Sequence, residues 1–168
     1  MQDILFSEQQ IRNKTAETGN YISRKYKDKP LLVVGILKGA FVFIADLIRA
    51  IDIPCEVGFM CAESYEGTES TGEVRITLDL KQDVSQYHVI IAEDIIDTGR
   101  TLKVVADILK ARNPLSLEII TLLDKPSRRI ADIDADISLF TIPDLFVVGY
   151  GLDYNENYRN LPYIAELR

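Results

Sequence analysis

The stretch Ile90-Ile91-Ala92-Glu93-Asp94-Ile95-Ile96-Asp97-Thr98-Gly99-Arg100-Thr101 carries more information than any other part of the chain. It opens as an apolar strand and runs into two adjacent carboxylates, Glu93 and Asp94. A third carboxylate, Asp97, precedes Thr98-Gly99-Arg100-Thr101, which reads as the opening of a helix. A strand, an acidic edge and a hydroxyl- and glycine-bearing turn at a helix N-terminus suit a sugar phosphate. The N–H groups of the turn and the helix dipole favour an anion. The carboxylates suit ribose hydroxyls or a hydrated Mg²⁺. A bare acidic pair would more simply be solvated; the weight lies on the full twelve-residue pattern.

Working outward, the flanking segments alternate between strand and helix. Ser7 and Gln10 match a capping box, and Phe6 with Ile11 a hydrophobic staple, so a helix starts there and runs to about Lys27. Pro30 to Leu37 is a continuous apolar run, as expected of a strand covered on both faces. Ala40, Phe43, Ile44, Leu47 and Ile48 follow the spacing of an amphipathic helix. Residues 54–61 and 74–80 read as strands, the second from the alternation of Val74, Ile76, Leu78 and Leu80. The polar stretch Glu63 to Glu73 between them is longer than a hairpin needs and is either a mobile surface connection or a lid. A strand over 87–93, the acidic loop and a helix carrying Leu102, Val105, Ala106 and Leu109 come next. Strands over Leu117 to Leu123, Ala135 to Thr141 and Phe146 to Gly149 complete the pattern. This predicts one α/β domain over residues 1–168, with a doubly wound, mainly parallel sheet. Ligands on such sheets bind at the carboxyl ends of the strands. Leu37-Lys38-Gly39, the acidic loop and Asp124-Lys125 all fall at such ends.

The net charge of −7, from 19 Lys+Arg against 26 Asp+Glu, argues against a general nucleic-acid binder. It also means that an anionic substrate must be held by local cations and N–H groups. The two cysteines, Cys55 and Cys61, make no disulfide framework and read as free buried thiols. The N-terminus shows no export signal, and no apolar run is long enough to span a bilayer. A reducing cytoplasm is expected. The single histidine, His88, cannot support a multi-histidine metal site and reads as a surface or edge residue, which leaves carboxylates and lysines as acid–base candidates.

Lys38-Gly39 follows a buried strand and opens a helix; the lysine either meets a phosphate or points to water. Lys125 also ends a buried strand, and either donates to a ligand oxygen or forms a surface ion pair. Ile142 to Arg159, IPDLFVVGYGLDYNENYR, is the second long segment of interest. Taken with Ile90 to Thr101, it resembles the phosphoribosyltransferases over essentially the whole chain, and the spacing EDIIDTG resembles their 6-oxopurine branch.

The resemblance implies the type I phosphoribosyltransferase fold, with a small hood built from the chain ends and a flexible lid containing Ser64 and Tyr65. Glu93, Asp94, Asp97, Thr98, Gly99, Arg100, Thr101, Lys38, Gly39 and Arg159 would bind phosphoribosyl pyrophosphate. Lys125 would read the purine 6-oxo group, Phe146 would stack on the ring and Val147 would offer backbone groups to its edge. Glu93, Asp94 and Asp153 would hold Mg²⁺ with the diphosphate, and Asp97 would act as the catalytic base. A cis peptide before Lys38 belongs to the same pattern. Tyr150, Tyr154 and Tyr158 are left as interface or surface packing. Two departures stand out: Ala92 is smaller than the branched residue expected there, and the lid carries extra acid over 66–71.

The implied activity is transfer of a phosphoribosyl group to N9 of hypoxanthine or guanine, in a homo-oligomer, dimer or tetramer, with small-molecule substrates and no nucleic-acid or membrane partner. The alternatives are a non-catalytic regulator that senses phosphoribosyl pyrophosphate on the same fold, or the same chemistry on another base. The chain is acidic and enters the core fold within about its first thirty residues, which disfavours the regulator.

Overall fold

The computed structural model describes residues 2–65 and 73–168. Its elements run β1 (Gln2–Phe6), α1 (Glu8–Lys25), β2 (Leu31–Leu37), α2 (Phe41–Arg49), β3 (Glu56–Tyr65), β4 (Glu73–Leu78), β5 (His88–Ile96), α3 (Arg100–Ala111), β6 (Ser116–Asp124), β7 (Ile137–Thr141), β8 (Val147–Val148) and β9 (Ile164–Leu167). The large sheet has the order β4-β3-β2-β5-β6-β7. Its five central and distal strands are parallel, and β4 closes one edge antiparallel to β3.

Alternation along the buried strands sends successive side chains to opposite faces. Val33, Ile90 and Ile120 pack with α1 and α2 through Ile11, Ile22, Phe43 and Leu47. Leu32, Val34, Val89, Ile91 and Ile119 pack on the other face with Leu102, Val105, Ala106 and Leu109 of α3. Each fully buried aliphatic side chain contributes about 1.5–3 kcal/mol, so both faces hold the sheet. This is the doubly wound arrangement the strand–helix alternation predicts.

The capping box at the start of α1 is present, with Ser7 Oγ accepting from Gln10 N at 3.2 Å and Gln10 Oε1 accepting from Ser7 N at 2.8 Å. The helix stops at Lys25, two residues short of the expected end, and Lys25, Tyr21 and Tyr26 all converge on the buried carboxylate of Glu118 at the amino end of β6. His88 lies at the same end, its Nδ1 2.7 Å from Ser116 Oγ, remote from the carboxyl edge. Cys55 and Cys61 are free but half-buried rather than buried.

Three of the strands read from the sequence differ in the structure. Strand β5 continues through the acidic pair to Ile96, because β6 pairs with it as far as Ile96↔Asp124. Strand β3 likewise continues to Tyr65 by pairing with β4, so Ser64 and Tyr65 end a strand. The remaining expected lid residues, 66–72, lie outside the described residues. Third, Phe146 to Gly149 does not join the large sheet. Its core, β8, pairs with β9, and β9 with β1, in a three-stranded antiparallel sheet that joins both chain ends. Val147, Tyr150, Leu152 and Ile164 pack into the same core as α1 and α2, so this hood sits on the main sheet.

Candidate active site

Three neighbouring parallel strands, β2, β5 and β6, end at one edge of the sheet. Lys38, Gly39, the acidic pair, Asp97 and Lys125 all lie at or just past that edge. At the end of β2 the Leu37-Lys38 peptide is cis. The turn then passes so close to β5 that a Cβ on Gly39 would lie 1.7 Å from Asp94 Oδ2. A side chain at Gly39 would have to displace the Asp94 carboxylate.

Glu93 is 7% exposed, and Asp94 beside it is partly buried. Burial and then the neighbouring Asp94 charge push the Glu93 carboxyl well above its ordinary value. Burial also raises Asp94, against the lowering effect of N–H donors and of Arg159. Two adjacent carboxylates with little access to water disfavour full charge on both.

Beyond the pair, α3 opens without a side-chain cap at Gly99, whose φ is +81°. A Cβ there would strike Ile133 Cγ2 at 2.8 Å. Arg100 N donates to Thr98 Oγ1 at 3.4 Å, and a helix start of this kind suits an anion. Arg100 is exposed and Thr101 partly so.

Four charged side chains meet over the β2 turn. Lys38 Nζ lies 3.2 Å from Glu156 Oε2, and Arg159 Nη2 lies 3.1 Å from Glu156 Oε1 and 3.2 Å from Asp153 Oδ1. Arg159 Nη1 donates to Gly151 O at 2.8 Å, which fixes the guanidinium under the hood. Its Nε is buried and has no hydrogen-bond partner among the described residues. Among those residues no three His, Cys, Asp or Glu side chains gather as a metal site. Glu93, Asp94 and Asp153 therefore do not form a cage, because Arg159 occupies Asp153. Mg²⁺ ordinarily takes one or two carboxylates with substrate phosphates and water, so the donors present still fit it.

On the β6 side, Lys125 is 7% exposed, which rules out a surface lysine. Its N donates to Ile96 O at 3.0 Å and ties the ends of β5 and β6 together. Asp97 accepts from Arg128 Nε at 3.1 Å through Oδ1, and its backbone oxygen accepts from Arg129 Nη1 at 3.0 Å. Arg129 is mostly buried and also bonds Asp124. Neither arginine stood out in the sequence; the signal was a basic pair that begins three residues past a strand-end lysine.

Phe146 is 52% exposed, unlike a core aromatic, and meets Tyr154 edge-on with centroids 5.6 Å apart. Phe146 O accepts from Leu167 N, so strand alternation turns the N–H and C=O of Val147 toward the free edge of β8. Tyr150 is not surface packing: it is buried, and its hydroxyl donates to Asp46 on α2 at 2.5 Å.

A doubly wound sheet whose carboxyl edge carries an acid pair, a glycine-opened helix and converging cations is an arrangement that suits a phosphorylated sugar. Residues 1–155 match the sequence model of the phosphoribosyl transferase domain, and the chain belongs to that family. A hypoxanthine-guanine phosphoribosyltransferase of Staphylococcus epidermidis is 53% identical over 169 residues, covering 100% of this chain and 94% of its own. Among solved structures, a hypoxanthine phosphoribosyltransferase from Staphylococcus aureus superposes with TM-score 0.94 at 51% identity, over 99% of this chain and 91% of its own. The ternary substrates complex of a mutant Trypanosoma cruzi hypoxanthine phosphoribosyltransferase gives 0.92 at 40% identity, over 98% and 94%.

Proposed function

We propose that this chain is a purine salvage enzyme that transfers the phosphoribosyl group of phosphoribosyl pyrophosphate to N9 of hypoxanthine or guanine. IMP or GMP and pyrophosphate are released. The observation that carries the reading is Arg159. Its buried Nε, without a partner among the described residues, and its neighbour Lys38 offer charge to a diphosphate, beside a carboxylate pair suited to ribose. The names of relatives at 51–53% identity over the full chain support the choice of base.

Residues Asp97 to Thr101 would cradle the 5′-phosphate at the start of α3, while Glu93 and Asp94 orient the ribose hydroxyls. Lys38 and Arg159 would take the charge of the departing diphosphate. Mg²⁺ would be held by the diphosphate with Glu93, Asp94 and Asp153 and would neutralise leaving-group charge. Asp97 would accept the purine proton near N7, and Lys125 would donate to the 6-oxo group. Phe146 would stack on the ring and Val147 would meet its edge with backbone groups. Ser64 and Tyr65, at the end of β3, would close over the sugar and exclude water.

The enzyme would work as a single domain over residues 1–168 and as a homo-oligomer, dimer or tetramer, in the cytoplasm. A net charge of −7 speaks against nucleic-acid partners, and no helix among the described residues is long and apolar enough to cross a membrane.

One experiment tests the reading. Purified protein with phosphoribosyl pyrophosphate and Mg²⁺ is offered hypoxanthine, guanine, xanthine, adenine and uracil. Nucleotide should form from the first two and should cease in excess chelator. Turnover confined to adenine or uracil would overturn the base assignment, and full activity in chelator would overturn the metal.

A further inference from the structure

Four charges of alternating sign connect the two groups assigned to the purine. Asp97 Oδ1 accepts from Arg128 Nε at 3.1 Å. Arg128 Nη1 lies 3.9 Å from Asp144 Oδ2, and Asp144 Oδ1 lies 3.9 Å from Lys125 Nζ. Arg128 closes the single 3₁₀ turn Pro126–Arg128 and donates its own N–H to Lys125 O at 3.1 Å. Pro126 fixes one backbone dihedral of that turn, so Arg128 is set rigidly relative to Lys125. Arg128, Asp97 and Asp144 are each about half-exposed, and ion pairs of that kind add little stability. The bridging contacts to Asp144 exceed hydrogen-bond length. Stability therefore does not explain the chain of charges; geometry does.

N7 and O6 lie on one edge of an oxopurine. A base aimed at the first and a donor aimed at the second must keep a fixed separation. We propose that Arg128 is a positioning residue that sets this separation, holding Asp97 directly and Lys125 through Asp144. This rests on the base and oxopurine-reading roles assigned above. The arginine fork offers Nε to one carboxylate and Nη1 to another, whereas a lysine offers one ammonium and cannot span both.

The test measures hypoxanthine turnover in wild type, Arg128→Gln, Arg128→Lys and Asp144→Asn, with melting temperature as a folding control. Arg128→Gln should lower kcat by about 10–100-fold, the cost of misplaced reacting groups, and leave the KM for phosphoribosyl pyrophosphate unchanged. Arg128→Lys should recover part of kcat by restoring the contact to Asp97. Asp144→Asn should act mainly on the hypoxanthine KM, raising it by about tenfold through a misaligned Lys125. Variants matching wild type in kcat and KM would overturn the role of Arg128 and leave the proposed function intact. Equal kcat losses in the Gln and Lys variants would also overturn it. Wild type inactive on both hypoxanthine and guanine would overturn the function and this role together.

Discussion

Gly39 and Asp94 touch: the carboxylate of one fills the space a side chain on the other would need, with Oδ2 1.7 Å from where a Cβ would stand. The turn after β2 and the acidic pair on β5 are thus one unit. Moving either moves both, although 55 positions separate them in the chain.

Gly39→Ala is therefore expected to displace the Asp94 carboxylate rather than to unfold the sheet, since the clash is with a side chain. The KM for phosphoribosyl pyrophosphate should rise and kcat/KM should fall by about 10²-fold, the scale of a misplaced binding group. Steady-state kinetics with a thermal melt decide the matter. Wild-type kinetics in the variant would mean that the turn can retreat at no cost.

Asp97→Asn should keep sugar-phosphate binding and lose rate. The side chain is half-exposed at the strand end, where Arg128 holds its carboxylate and Arg129 its backbone oxygen. Loss of a general base costs about 10²–10⁴-fold. Calorimetric binding of phosphoribosyl pyrophosphate alongside turnover separates the two effects. Near-normal turnover would remove Asp97 from the chemistry.

Lys125 is expected to set base choice. It is buried at the end of β6, and its backbone is tied to Ile96. Adenine carries an amino group where the oxopurines carry an acceptor, so a buried ammonium would face a donor. Such a mismatch can reject an analogue by roughly 10⁴–10⁵. Lys125→Met should weaken hypoxanthine and narrow the gap to adenine. Competition assays that show unchanged selectivity would return the lysine to a structural role.

Glu156 sits between Lys38 and Arg159, where the diphosphate is proposed to bind. The hydrogen bond from Lys38, then that from Arg159, holds its carboxyl below the ordinary value, so it stays charged at neutral pH. Substrate must displace it. Glu156→Gln should lower the KM for phosphoribosyl pyrophosphate by about two- to fivefold, the modest range of an exposed ion pair. The gain should shrink at high salt, where the competing pair is screened. A raised KM would make Glu156 a ligand-binding group instead.

Much of this molecule is written locally. Apolar runs at Leu31 to Leu37 and Leu117 to Leu123 are buried strands because covered strands need no polar alternation. Leu102, Val105, Ala106 and Leu109 line one face of α3 because helical period brings them together. Ser7 and Gln10 cap α1 through bonds three residues apart. Such features depend on neighbours in the chain, which the sequence states directly. The tertiary structure alone decided what joins distant residues. Gln2 pairs with Leu167, so Phe146 to Gly149 belongs to a hood. Ladder pairing with β6 carried β5 through Glu93 and Asp94. Arg128 and Arg129 reached Asp97, and Tyr150 reached Asp46, across 31, 32 and 104 positions. Period and propensity act along the backbone, whereas partner choice depends on how the layers pack, and packing has no local signature.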